Sequence, residues 1–235
     1  MELLADLFTV LVTLILPCLL LLYFILVKRR YLLAFIIGVL TFTIFQVLTR
    51  MPLLQLVLPK MDWYFTFVYG YTTWYVLFLG ITAALFEEIG RYIMMRLFLK
   101  NNHRFGDAVS FGLGHGGIEA ILFVGINALN VLILYHGVTG DPLSMFYAGL
   151  ERASTMVVHV FWSVLVMKAI VDQKRRYLFL AIIMHALVDS LAVLLQLEGA
   201  SILSIELIMV AVAVVSIVWL LKIKRNWGKY HEKIN

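Results

Sequence analysis

Cysteine occurs once in 235 residues, at Cys18, so no intrachain disulfide and no cysteine-based metal site can be built. Charge is scarce too. Asp, Glu, Lys and Arg make up 14% of the chain and hydrophobic residues 63%, with a mean hydropathy of +0.98. Soluble domains carry roughly 25% charge, so that class is excluded. Segments of roughly ten residues with apolar/polar alternation are missing, which excludes a membrane β-barrel. There is no HExxH sequence, no internal repeat and no low-complexity tract. A basic lead segment is also missing: Glu2 and Asp6 precede or open the first apolar run, and Lys28-Arg29-Arg30 follow it. That order indicates a retained anchor with its N-terminus outside, not a cleaved signal peptide.

What the chain has is long apolar runs. Seven are expected to span a bilayer, at about 7–27, 31–49, 64–90, 108–134, 147–170, 177–197 and 202–222. Each approaches the ~20 residues that cross a hydrocarbon core of roughly 30 Å. Backbone groups in lipid must be satisfied internally, so these runs are helices and the fold is all-α, a polytopic membrane protein. Little chain is left for anything but one integral-membrane domain, 1–235, with a catalytic core at about 64–197. Sixteen of the 19 basic residues cluster at 28–30, 91–104, 168–176 and 222–233. With seven spans all four clusters share one side, which the positive-inside rule makes cytoplasmic, leaving the N-terminus outside and the C-terminus inside. The net charge of +5 is therefore topological, and no nucleic-acid partner is implied. The tail Lys222–Asn235, with Trp227 and Tyr230, is expected to rest on the anionic inner leaflet.

Against this background the embedded ionisable residues stand out. Glu87, Glu88 and Arg91 lie in one span, His115 and Glu119 in the next, His159 in a third, and His185 with Asp189 in a fourth. Charge at bilayer depth is costly and marks a protein interior or a wet cavity. Counted from the nearest charged boundary residue, Glu87, Glu88, His115, His159 and His185 all lie eight or nine residues in, roughly 12–14 Å deep by helical rise. Four helices deliver polar groups to one level in the cytoplasmic half. His115/Glu119, His185/Asp189 and Glu87/Arg91 are each four apart and stack on one helix face. A carboxylate one turn from an imidazole orients it, and an arginine beside paired glutamates holds one of them ionised.

Plainer readings exist for single residues. An embedded histidine can be an interhelical hydrogen-bonding partner, as can Asn127, Asn130 and Gln46. Glu151-Arg152 reads as a helix-start ion pair near the outer surface, and Glu206 as interfacial. The glycines around His115, in Phe111-Gly-Leu-Gly-His115-Gly-Gly117, allow close helix approach.

Taken in order, Glu87-Glu88-Ile-Gly-Arg91, Phe111-x-x-x-His115 and His185-x-x-x-Asp189 resemble the CPBP superfamily of CAAX-processing and bacteriocin-processing intramembrane peptidases, and the related PrsW-type proteases. His115-Gly-Gly-Ile-Glu119 and Glu151-Arg152…His159 look most like the YhfC-type branch, a set of bacterial intramembrane metalloproteases. The resemblance covers the third to sixth spans. It implies that Glu87 activates the attacking water with help from His115, and that His185 and Asp189 stabilise an oxyanion or complete the polar cluster. Arg91 follows Glu87 by four residues where the superfamily usually has five, and Asp189 stands where Asn is common. Which of Glu87 and Glu88 is the base stays open.

Two mechanisms fit these residues. In one, Glu87 takes a proton from water and His185 donates to the oxyanion without a metal. In the other, His115, His159 and His185 hold Zn²⁺ with one open position and a glutamate deprotonates water. Either way the expected activity is hydrolysis of a peptide bond in a membrane-anchored peptide or protein, in the inner leaflet of a bacterial membrane. A proton- or cation-coupled transporter and a non-catalytic immunity or scaffold protein are the competing classes.

Overall fold

The computed structural model of the chain describes residues 1–138 and 140–227, and among these every regular element is helical. In chain order they are α1 (Glu2–Leu26), α2 (Arg29–Lys60), α3 (Asp62–Gly70), α4 (Thr72–Phe98), α5 (Phe105–Leu134), α6 (Pro142–Val171), α7 (Arg176–Leu197) and α8 (Ile202–Trp227). Six of them, all but α3 and α4, are long and apolar enough to cross a membrane. At 27 residues α4 has the length as well, about 40 Å at helical rise, but it carries Glu87, Glu88, Arg91 and Arg96 and is not among the six.

The prolines explain where helices run on and where they bend. Pro17 and Pro52 lie inside α1 and α2, each preceded by a π-helical stretch, Leu11–Ile15 and Thr43–Arg50. A wider turn absorbs the missing N–H and the ring clash that would otherwise break the helix. Hence α2 continues through residues 50–60, where a loop is expected from the sequence, and Arg50 stays helical. Pro142 occupies the first turn of α6, where its missing N–H costs nothing. Asp141 caps that turn, accepting from the Ser144 N–H at 3.1 Å, and the Ser144 hydroxyl and N–H hold its carboxyl below the usual carboxylate range. Between α5 and α6 the chain turns through Gly137 and Gly140, both at positive φ; Thr139 lies outside the described residues.

The bundle is built round α6. In its most apolar stretch 72% of residues are buried, against 17–39% in the other five spanning helices. It packs on α1, α4, α5, α7 and α8, so the residues of one rod can face five others. The glycine-rich stretch of α5 lets it lie against two neighbours at once. A Cβ on Gly112 would come within 2.5 Å of Val160 Cα in α6, and one on Gly114 within 2.1 Å of the Phe35 carbonyl oxygen in α2. Gly38 of α2 meets the Phe111 carbonyl oxygen equally closely. These contacts wedge His115 among neighbours, the close-packing use expected of the glycines.

The basic segments gather at one end. Ser110 of α5 donates to the Tyr31 carbonyl at the α1–α2 junction (2.9 Å), and Trp227 Nε1 of α8 donates to the His103 carbonyl before α5 (3.1 Å). Arg96, Lys100 and His103 share a surface hollow with Gln173 and Arg175 of the α6–α7 turn. The tail expected on the inner leaflet is described as far as Trp227; Tyr230 and the rest of it lie outside the described residues.

Candidate functional site

The sequence places Glu87, Glu88 and Arg91 on α4, His115 and Glu119 on α5, His159 on α6, and His185 and Asp189 on α7. The structure brings all eight together. His115 Nε2 and Glu87 Oε2 are 2.9 Å apart, and Arg91 Nη2 stands 3.4 Å from the same oxygen. Arg91 also bonds Glu88 closely and reaches His159 Nδ1 at 2.7 Å. Glu88 Oε1 accepts from His185 Nδ1 at 2.7 Å, and His185 Nε2 lies 3.3 Å from Asp189 Oδ2. The Trp162 ring stacks on His185 with centroids 4.0 Å apart and 11° between planes, fixing its orientation. Only Asp189 of the eight is appreciably exposed.

Two glutamates adjacent in sequence thus have different surroundings. Glu88 is fully buried between Arg91 and His185, whereas Glu87 lies on the wall of a cavity of about 320 Å³. The cavity also touches Glu119, His159, His185 and Asp189.

Four ligand-type side chains, Glu87, His115, Glu119 and His159, offer atoms that all lie within 4.8 Å of one another. Glu119 Oε2 and His159 Nε2 approach to 2.5 Å, and among the described residues neither has a further hydrogen-bond partner. Among the described residues His115 Nδ1 is buried without a partner as well, so a ligand atom stays available for a cation. Two imidazoles and two carboxylates are a donor set that suits zinc, so the residues fit the metal. Because a guanidinium can only donate, Arg91 makes His159 Nδ1 an acceptor and leaves the ring hydrogen on Nε2. A cation on Nε2 and the Arg91 contact on Nδ1 therefore exclude one another.

Of the three histidines that the metal-assisted mechanism offers from sequence, His115 and His159 lie in this group and His185 does not. His185 turns both ring nitrogens to carboxylates, Glu88 and Asp189, and is not in the four-residue group. Glu119 is in the group instead. From sequence the two i,i+4 pairs, His115/Glu119 and His185/Asp189, look alike; only the packing of α5 on α6 tells them apart.

Two arginines that the sequence reading left outside the site belong to it. Arg152 donates to Glu119 Oε1 at 2.7 Å and bonds Glu151 closely, so the pair read as a surface helix start is tied to the cluster. Arg50 is buried and lines the same cavity, donating to Leu79 O (2.6 Å), Thr82 Oγ1 (3.2 Å) and Gln46 Oε1 (3.3 Å). Glu206, expected at the interface, is buried as well, with Oε2 unpaired among the described residues.

The family model for YhfC intramembrane metalloproteases matches residues 12–141 and 138–215. The chain belongs to the YhfC intramembrane metalloprotease family. It is 32% identical over 230 residues to the uncharacterized membrane protein YhfC of Bacillus subtilis (strain 168), with 84% of this chain and 88% of that protein covered. No solved structure matches. With six helices of membrane-spanning length and a relative that is itself a membrane protein, the chain is an integral membrane protein of a kind found in bacteria. All eight residues expected at the site lie within the part that the YhfC family model covers.

Proposed function

We propose that the protein is a zinc-dependent intramembrane peptidase in which His115, Glu119 and His159 hold the metal, His159 exchanging its Arg91 contact for the cation, and Glu87 is the general base. The observation that carries this reading is the cluster of Glu87, His115, Glu119 and His159 donor atoms, deep in the bundle yet on or beside a cavity wall. Two histidines and one glutamate with an open position form a ligand set used by zinc peptidases. The metal would supply a Lewis acid for the peptide carbonyl and lower the pKa of water. The chain's own residues do the rest. Glu87 accepts a proton from the attacking water and passes it to the leaving amine nitrogen. Glu88 anchors Arg91 and His185 and takes no proton. His185, oriented by Glu88 and by the Trp162 face, turns Nε2 to the Asp189 side of the cavity, where it can donate to the developing oxyanion. Arg152 holds Glu119 in place, the outer partner that a ligating carboxylate needs.

The relation to the CPBP and PrsW peptidases belongs to this proposal, resting on the order of the α4, α5 and α7 motifs. So do the seven-span topology, with α4 as the remaining crossing, the N-out and C-in orientation, and the catalytic core at about 64–197. The substrate is a peptide segment anchored in the bilayer. The cavity changes where it is met. From the level of Glu87 and His185 the lining follows α4 back toward Val76, α6 back toward Glu151, and α7 forward to Val193, in each case away from the basic end. Only Trp162 lies a turn to the other side, as the floor. Substrate access is therefore from the extracytoplasmic side, not from the inner leaflet.

Purified protein in nanodiscs, loaded with zinc and given a membrane-anchored reporter peptide, is expected to cleave it. Glu87→Gln should lower turnover by about 10²–10⁴-fold, the usual worth of a general base, with the melting temperature unchanged. Full turnover in both Glu87→Gln and Glu88→Gln would overturn the reading.

A further inference from the structure

Arg50 is a buried cation with neutral partners. Its Nε, Nη1 and Nη2 donate to Thr82 Oγ1, Gln46 Oε1 and the Leu79 carbonyl, all uncharged acceptors. The two other arginines of the interior each hold two carboxylates, Arg91 with Glu87 and Glu88, and Arg152 with Glu119 and Glu151. Among the described residues no carboxylate lies within ion-pairing reach of Arg50. A guanidinium has five N–H donors, so two remain after these three bonds. A charge at bilayer depth without an adjacent counter-charge is expensive and by default marks a functional site, and Glu87 and Asp189 act on Arg50 only at longer range.

The cavity's own acids do not need Arg50. Glu87 is bonded to His115, Glu119 and Glu151 to Arg152, and Asp189 lies beside His185. Arg152 also keeps spare donors but already holds two carboxylates, so among the described residues Arg50 is the lining arginine without a carboxylate partner, and it is nine-tenths buried on the wall of the cavity that ends at Glu87. Its position along α4 is set by its partners. Leu79 and Thr82 precede Glu87 by eight and five residues, roughly 8–12 Å of helix axis. An extended peptide covers that distance in about two to four residues.

We propose that Arg50, held by Gln46, Thr82 and the Leu79 carbonyl, is the binding site for a substrate carboxylate two to four residues from the cut bond. The site selects peptide segments that bring an acidic side chain or a free C-terminus into the extracytoplasmic end of the cavity. It rests on the peptidase reading for its role, though the binding itself does not.

The test is a binding measurement on the full chain in nanodiscs, in the Glu87→Gln background so that the probe is not consumed. Three fluorescent hexapeptides of alternating leucine and alanine serve as probes: the free acid, its C-terminal amide, and the amide with one internal glutamate. The free acid or the glutamate peptide is expected to bind about tenfold or more tightly than the plain amide, as a charge-assisted hydrogen bond implies. Which of the two does so distinguishes a terminal from a side-chain carboxylate. Arg50→Gln should erase the preference and Arg50→Lys should keep part of it. Equal binding of all three, no binding of any, or a preference that survives Arg50→Gln overturns the proposal. The comparison of acid with amide needs no change at Arg50, so a poorly folded Arg50→Gln does not blunt it. An Arg50-dependent preference in a protein that cleaves nothing would keep this site and remove the peptidase reading; cleavage without any preference would do the reverse.

Discussion

At the scale of single residues, the proposed mechanism has adjacent glutamates divide the labour of support and chemistry. Glu88 is enclosed by Arg91 and His185, so Glu88→Gln leaves a buried guanidinium with weaker compensation. Breaking a buried pair from one side costs about 3–5 kcal/mol. Thermal or denaturant unfolding in detergent should show a loss of that order for Glu88→Gln and little for Glu87→Gln, whose neighbour Arg91 keeps Glu88. A second contrast concerns the metal. If the proposed ligand set holds, Glu119→Gln removes a ligand and should lower the zinc content of purified protein well below one per chain, whereas His185→Gln should leave it near one. Equal zinc retention in both, measured by elemental analysis after gel filtration, would return His185 to the ligand set.

At the scale of helices, the sequence made the level of the site legible and left its wiring hidden. Hydropathy and i,i+4 spacing are local properties, and they were enough to place Glu87, His115, His159 and His185 at one depth. Arg50 was invisible to them because a charge next to Pro52 reads as the end of a span. Only the π-helical stretches that accommodate the proline keep Arg50 within α2 and inside the bundle. Arg152 was misread for a related reason: a Glu-Arg pair early in a helix is the commonest surface motif, and the turn of α6 toward α5 is a tertiary fact. The glycines of α5 were read correctly because their consequence, close backbone approach, does not depend on which helix approaches. That consequence can be measured. Gly114→Ala puts a methyl group where the Phe35 carbonyl oxygen lies 2.1 Å away, backbone against backbone, so α2 and α5 must separate. Overpacking of this kind costs about 1–3 kcal/mol. The same change at Gly70, where the nearest atom is 3.9 Å away, should be neutral. A Gly114→Ala protein as stable as Gly70→Ala would mean that the α2–α5 contact is looser than the structure has it.

At the scale of the whole molecule, two independent asymmetries point in opposite directions along the bundle axis. The basic segments collect where α1 meets α2, α4 meets α5, and α6 meets α7, which the positive-inside rule assigns to the cytoplasm. The cavity extends from the Glu87 level toward the other end, where Arg50, Glu151 and Val193 lie. Depth alone, eight or nine residues from the basic boundary, suggests a site served from the cytoplasm; in the proposed topology the open space extends the other way. Because Cys18 is the sole cysteine, a Cys18→Ser chain is a clean background for accessibility mapping. In intact cells a membrane-impermeant maleimide should label Thr155→Cys, on the cavity wall of α6, without permeabilisation. Lys174→Cys, in the basic α6–α7 turn, should react only once the membrane is opened. The converse pattern would place the cavity mouth in the cytoplasm and, with it, the substrate's point of entry. Thr155→Cys reacting only after permeabilisation, alongside an inaccessible Lys174→Cys, would likewise end the case for extracytoplasmic access. The outcome bears on Arg50 as well, since a carboxylate that it binds has to arrive through this same mouth, past Arg50, before the peptide bond reaches Glu87.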